Sequence, residues 1–142
     1  DIRNAAIGTL QLDGQAVTVP VAGQAGNVIT VGDNWIRILS VPFSSANDNA
    51  LISGFSTLRF DGAGENAAQM MICINGDTNN SIWEAPIWTT TGRVTSWTVA
   101  GNSFVRRLGP EVYNLTLAVR RTGGNATLTS HGRNLSIIGI KR

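Results

Sequence analysis

Lysine, cysteine and histidine each occur once in these 142 residues, as Lys141, Cys73 and His131. A single cysteine excludes an intrachain disulfide, so stability must come from packing or from assembly. Cys73 lies in Gln69–Asn75 (QMMICIN), between apolar neighbours, which marks a buried thiol rather than a nucleophile. A single histidine cannot share a zinc site with a second one, and the segment Ser130-His131-Gly132 reads as a turn rather than part of a catalytic triad. Charged residues reach only 14%, against about a quarter in an average domain. Asn, Thr, Ser and Gln must therefore supply the polar surface, as suits an extracellular or virion protein. A net charge of +2 is too small to argue for nucleic acid. Arg106-Arg107 and Arg120-Arg121 read as solvated strand edges or turn anchors. No apolar run approaches a membrane span, so membrane insertion by this domain is not expected, and no leader follows Asp1. The chain reads as the C-terminal piece of something longer.

What is present is strand chemistry, with no helical period sustained over ten residues. In Val112–Arg142, Tyr113, Leu115, Leu117 and Val119 share one face of a strand while Asn114, Thr116, Ala118 and Arg120 share the other. Arg121-Thr122-Gly123-Gly124 supplies a hairpin turn, Asn125–Thr129 returns, His131-Gly132 turns again and Arg133–Arg142 closes the chain. In that last strand Leu135 and Ile137 face inward, and Ile138 and Ile140 face the opposite way. Either Gly139 forms a bulge or both faces are covered.

Upstream, residues 1–15 read as a connector and 16–142 as one domain. Ala16–Val21 is a strand ended by Gly23–Gly26, and Val28–Val31 is a short strand. Trp35–Phe43 places Arg37, Leu39, Val41 and Phe43 on one face with Trp35. Leu51–Phe60 carries Gly54 as a bulge or point of close approach. Gln69–Asn75 is central, Pro86 interrupts Ser81–Gly92, and Arg93–Val99 pairs with Ser103–Leu108 across Ala100-Gly101-Asn102. Many short strands spaced at about ten residues predict an all-β antiparallel sandwich or jelly roll.

Chemistry is sparse. Asp33, Asp48, Asp61, Glu65 and Asp77 lie in expected loops but match no cation-loop spacing, so no metal site or cofactor is assigned. Glu84, between Trp83 and Trp88, is the best-placed acid for a polysaccharide depolymerase, yet no partner carboxylate is legible. A binding role is expected instead of an enzyme. Trp83 and Trp88 present flat apolar surface with an indole donor, or else plug the open end of the sandwich. Asp77, Asn79, Asn80 and Arg93 are the polar contacts expected beside them. Trp35 and Trp97, set in strand alternation, are expected in the core.

Two segments carry a family likeness. Asp1–Pro20 (DIRNAAIGTLQLDGQAVTVP) resembles the junction in the tail-tip host-specificity proteins (central tail fibres) of lambda-like siphophages. Arg106–Leu108, then Gly109–Arg121 (GPEVYNLTLAVRR), Gly123-Gly124 and Arg133–Arg142 (RNLSIIGIKR) resemble their C-terminal pattern of a basic strand, a G-x-Y-x-L-x-L-x-V-R-like segment, a glycine turn and a closing strand. The likeness covers both ends, about a third of the chain, and leaves Val28–Asn102 unmatched. It implies a virion location at the tail tip, a homotrimeric fibre head, and attachment to a bacterial surface receptor: lipopolysaccharide, an outer-membrane protein or a pilus. A threefold axis would bury Ile138 and Ile140. The competing expectations are a soluble carbohydrate-binding lectin of similar fold and a trimerisation cap without a receptor site.

Overall fold

Apolar and polar residues alternate along most of the chain, and that alternation places nine β-strands in two antiparallel sheets among residues 21–47, 49–89 and 94–140, the part the computed structural model describes. They are β1 (Val21–Ala25), β2 (Ile29–Val31), β3 (Ile36–Ser44), β4 (Asn49–Asp61), β5 (Ala67–Ile74), β6 (Ser81–Trp88), β7 (Thr95–Arg107), β8 (Val112–Gly123) and β9 (Thr127–Ile140). One sheet runs β1-β9-β4-β7, with β2 also paired to β9; the other runs β3-β8-β5-β6. From β3 onward the chain passes between the sheets at every connection except β5 to β6, which is jelly-roll winding. The connector 1–15, the strand start at 16–20 and Arg93 lie outside the described residues.

The core fills the space between the sheets. Tyr113, Leu115, Leu117 and Val119 of β8 face it as the alternation requires, and Ile52, Leu58, Phe60, Leu135 and Ile137 meet them from the five-stranded sheet. Each large side chain taken fully out of water contributes about 1.5–3 kcal/mol. The other face of β8 also departs from a solvated surface. Ala118 is buried there with Met71 and Cys73, and Trp35 packs over the three.

Several local expectations are corrected. Arg133–Ile140 is not a separate strand: β9 is continuous, and His131-Gly132 is a bulge, since Leu58 pairs with Ser130 while Ser56 pairs with Arg133. Ala100-Gly101-Asn102 is likewise no turn, because β7 pairs with β4 without interruption from Asn49–Arg107 to Asp61–Thr95. The glycine-rich stretch of β1 does not break it. Gly23 stays in the strand, where a Cβ would lie 2.6 Å from Val41 Cγ2. In β3 a register shift between Arg37 and Leu39 turns Ile38 into the core and leaves Arg37 exposed. Pro86 sits within β6, which tolerates it as an edge strand. Gly54 is a point of close approach and not a bulge, with a Cβ there 2.8 Å from Ile72 Cδ1 and unbroken register on both sides. Register also runs unbroken through Gly139, so Ile138 and Ile140 lie on the outer face by simple alternation.

Candidate binding surface

β6 and β7 are the edge strands on one side of the sandwich, and a cleft of about 290 Å³ lies between them. Trp83, Pro86, Ile87 and Trp88 line it from β6, and Val99 and Gly101 from β7. The two tryptophans are five positions apart in a strand, so they face opposite ways. Trp83 pairs with Ile72 and packs against the main core, where it closes the sandwich edge. Trp88 is 74% exposed. Of the two readings open for these residues, the plug applies to Trp83 and the free indole to Trp88.

Asp77, Asn79 and Asn80 form the exposed β5–β6 turn. Asn75 and Gly76 take positive φ there (56° and 69°), and Asp77 Oδ1 accepts the Asn79 N–H at 2.9 Å. The turn adjoins Trp83. Trp88 lies at the far end of β6, eight residues from Asn80 and thus about 27 Å away, so these polar residues and Trp88 do not form one site. Glu84 faces outward and accepts a hydrogen bond from Gln69 Nε2 at 3.1 Å. Among the described residues, no three His, Cys, Asp or Glu side chains gather as a metal site would require. Asp33 pairs with Arg121 (2.9 Å) and Asp61 with Arg59 (3.0 Å).

A second surface escaped the sequence reading. Trp97 is not in the core: it is 55% exposed on the outer face of the five-stranded sheet. Its ring lies 4.8 Å from that of His131, tilted by 56°. Trp97 stands on β7 and His131 on β9, with β4 between them, so the two side chains meet across roughly 9.6 Å of sheet. The Arg59 guanidinium lies 5.4 Å from the Trp97 centroid, and Thr95 Oγ1 donates to Asp61 Oδ1 at 2.9 Å. Thr129 Oγ1 shares a 2.9 Å hydrogen bond with His131 Nε2. The bulge brings His131 outward to this position.

Beside the bulge, Arg133 is only 3% exposed. Its Nη1 donates to the carbonyls of Asn27 (2.8 Å) and His131 (2.8 Å) and its Nη2 to Asn27 Oδ1, which fastens the β1–β2 corner to the bulge. Its buried Nε–H has no partner, and burial pushes the guanidinium below its ordinary pKa. On the outer face of the sheet, opposite that side chain, Gln24, Thr57, Gly132 and Asn134 line a shallow open hollow. At the other end of the same sheet face Leu51 pairs with both Val105 and Ile138, while Ile140 is 41% exposed beside them.

No protein-family model matches the chain, and no curated protein sequence matches it. The fold is similar to that of solved structures. The infectious bursal disease virus VP2 subviral particle gives a TM-score of 0.58 at 14% identity, over 87% of this chain and 33% of that one. The T13 viral particle of the same virus gives 0.55 at 13% identity, over 87% and 31%. Eiger TNF from S. frugiperda gives 0.51 at 10% identity, over 87% of this chain and 92% of that one. The chain thus spans about a third of the VP2 chains it resembles. At these identities the likeness is one of fold.

Proposed function

We propose that this domain is the head of a virion fibre, a non-enzymatic module that attaches a phage or prophage particle to a bacterial surface receptor and acts as a homotrimer. The observation that carries this reading is Trp88, a large indole held three-quarters exposed by a regular strand beside an open cleft. A rigid aromatic group that the fold does not use for its own packing is what an attachment surface needs. The apolar strip of Leu51, Val105, Ile138 and Ile140 supports self-association. Three copies would turn weak single contacts into firm attachment. The jelly-roll fold, shared with a viral particle protein, agrees with a virion location.

The test is binding of the fluorescently labelled domain to a panel of Gram-negative cells, untreated, protease-treated or periodate-treated. Strain-selective binding is expected. Loss on protease treatment would assign a protein receptor, an outer-membrane protein or pilus, and loss on periodate a glycan such as lipopolysaccharide. A folded trimer that binds no strain would overturn the attachment role and leave a trimerisation cap.

A further inference from the structure

Among the described residues the two sheets have four edges, and three of them are blunted. β3 carries Pro42 and a register shift between Arg37 and Leu39. β6 carries Pro86, and its pairing with β5 slips between Ile72 and Cys73. β1 and β2, five and three residues long, divide the far edge of the five-stranded sheet. Prolines, bulges and short strands are the devices by which a sheet edge refuses a further strand. β7 has none of them. Its thirteen residues, Thr95–Arg107, contain no proline and pair with β4 in unbroken register. Every second residue therefore turns its N–H and C=O away from β4, toward the open side.

That open side adjoins the cleft that Trp88 borders. Thr98 and Ala100 belong to the inward set of β7 and Val99 to the outward set, yet all three line the cleft with Trp83, Pro86 and Ile87 of β6. The cleft thus follows the edge of the strand instead of lying only beneath it. No charged residue lines it. Trp97, Val99 and Val105 stand exposed in a row on the outer face, and Arg106 and Arg107 are exposed where the strand ends. β7 itself carries no acidic residue.

We propose that the receptor is a polypeptide, and that an extended segment of it adds to the free edge of β7 as a further antiparallel strand. This rests on the attachment reading and deepens it by naming the class of partner. A row of N–H and C=O groups at strand spacing is matched by another backbone: main-chain hydrogen bonds supply the affinity, and the uncharged cleft selects apolar side chains at alternate positions. The incoming segment begins with an acidic residue, set opposite Arg107, because opposite charges directly across a strand pair attract. A second copy of this chain does not fit the place. Antiparallel pairing of β7 with itself needs a two-fold axis, whereas the association proposed above is threefold, and the other described edges are the blunted ones.

The test titrates the full chain with a capped peptide of alternating valine and threonine that begins with aspartate, and with two N-methylated forms of it, one blocked at the odd amides and the other at the even. Backbone hydrogen exchange is followed by NMR. The parent peptide is expected to bind saturably and to slow exchange along β7, leaving the edges of β3 and β6 as they were. One N-methylated form should bind as the parent does and the other ten-fold or more weakly, since only alternate amides face β7. Thr98→Lys sets a charge at the mouth of the cleft and should weaken the parent peptide ten-fold or more while the chain still melts cooperatively. No binding, equal binding by the two N-methylated forms, or protection confined to another strand would overturn the proposal. So would β7 amides protected without peptide and released on dilution, which would give the edge to a second copy. Cell binding that survives protease but not periodate would overturn the strand partner and leave attachment standing. Peptide binding at β7 by a domain that binds no cell would overturn attachment, and with it the receptor as the source of the strand.

Discussion

The guanidinium of Arg120 lies 4.7 Å over the ring of Trp35, and together they roof a small apolar cluster on the outer face of the four-stranded sheet. Arg120 is held by Gln69, whose Oε1 accepts from Nε at 3.2 Å and Nη2 at 2.9 Å. Beneath lie Met71, Cys73 and Ala118, all buried although they face away from the main core. Trp35→Ala is expected to destabilise the fold by about 3 kcal/mol, in the range for removing a large aromatic group. Arg120→Lys keeps the charge but loses the planar fork and the stacking face, and should cost about 1 kcal/mol. Urea unfolding of the two variants checks both values.

The same roof governs Cys73. Burial pushes its thiol above the ordinary value of 9.0; the Arg37 charge opposes that shift and Asp77 adds to it. With the folded pKa raised above the unfolded one, this group's contribution to stability is complete below about pH 9 and is lost as pH rises from there through the folded pKa. Cys73→Ala should flatten the alkaline side of the stability profile relative to the native chain. The native thiol should also resist an aromatic disulfide reagent until denaturant is added, and Trp35→Ala should make it reactive in the folded state.

Gly101 carries a prediction of a different kind. Its φ is +157°, and a Cβ there would lie 2.0 Å from the Gly54 carbonyl oxygen and 2.5 Å from Phe55 Cδ1. The obstacle includes backbone, which cannot swing aside. Gly101→Ala should therefore destabilise the domain by about 3 kcal/mol, as measured by thermal unfolding. Gly26→Ala, where a Cβ meets nothing within 4 Å, should change stability by no more than about 0.5 kcal/mol.

Strand identity was legible because a period of two is local information: the β8 pattern of Tyr113, Leu115, Leu117 and Val119 appears in the core as written. What was not local was lost. Gly101-Asn102 and His131-Gly132 have turn chemistry, yet both run inside strands because β4, some 45 to 75 positions upstream, pairs along their whole length. Alternation also says which residues share a face without saying which face is covered. Trp97 shares its face with Val99 and Val105, and that face is the outer one. For Trp83 and Trp88 the signal was present in their odd spacing, which cannot place both indoles on one face of a regular strand.

That odd spacing separates stability from binding. Trp83→Ala opens the edge of the main core and should cost about 3 kcal/mol. Trp88→Ala removes an exposed side chain and should change stability by no more than about 0.5 kcal/mol. On the attachment reading Trp88→Ala nevertheless lowers cell binding ten-fold or more. Unfolding curves and cell-binding titrations on the two variants give the comparison, and a Trp88 variant that binds cells as the native chain does would remove Trp88 from the site.

Self-association is tested at the opposite end of the sheet. Ile138 is half-buried on the outer face, next to Leu51 and near Ile140 and Val105, so it sits within the apolar strip and away from the core. Ile138→Asp puts a charge in that strip and leaves the inward set of Leu135 and Ile137 intact. A buried unpaired carboxylate at a subunit contact costs several kcal/mol per copy, and a threefold assembly repeats the cost at each contact. Light scattering should give three times the chain mass for the native protein and the single-chain mass for Ile138→Asp, with the melting curve of the variant still cooperative. A native chain that is monomeric at high micromolar concentration would overturn the trimer, because Leu51, Val105, Ile138 and Ile140 would then be exposed apolar side chains with no subunit contact to make.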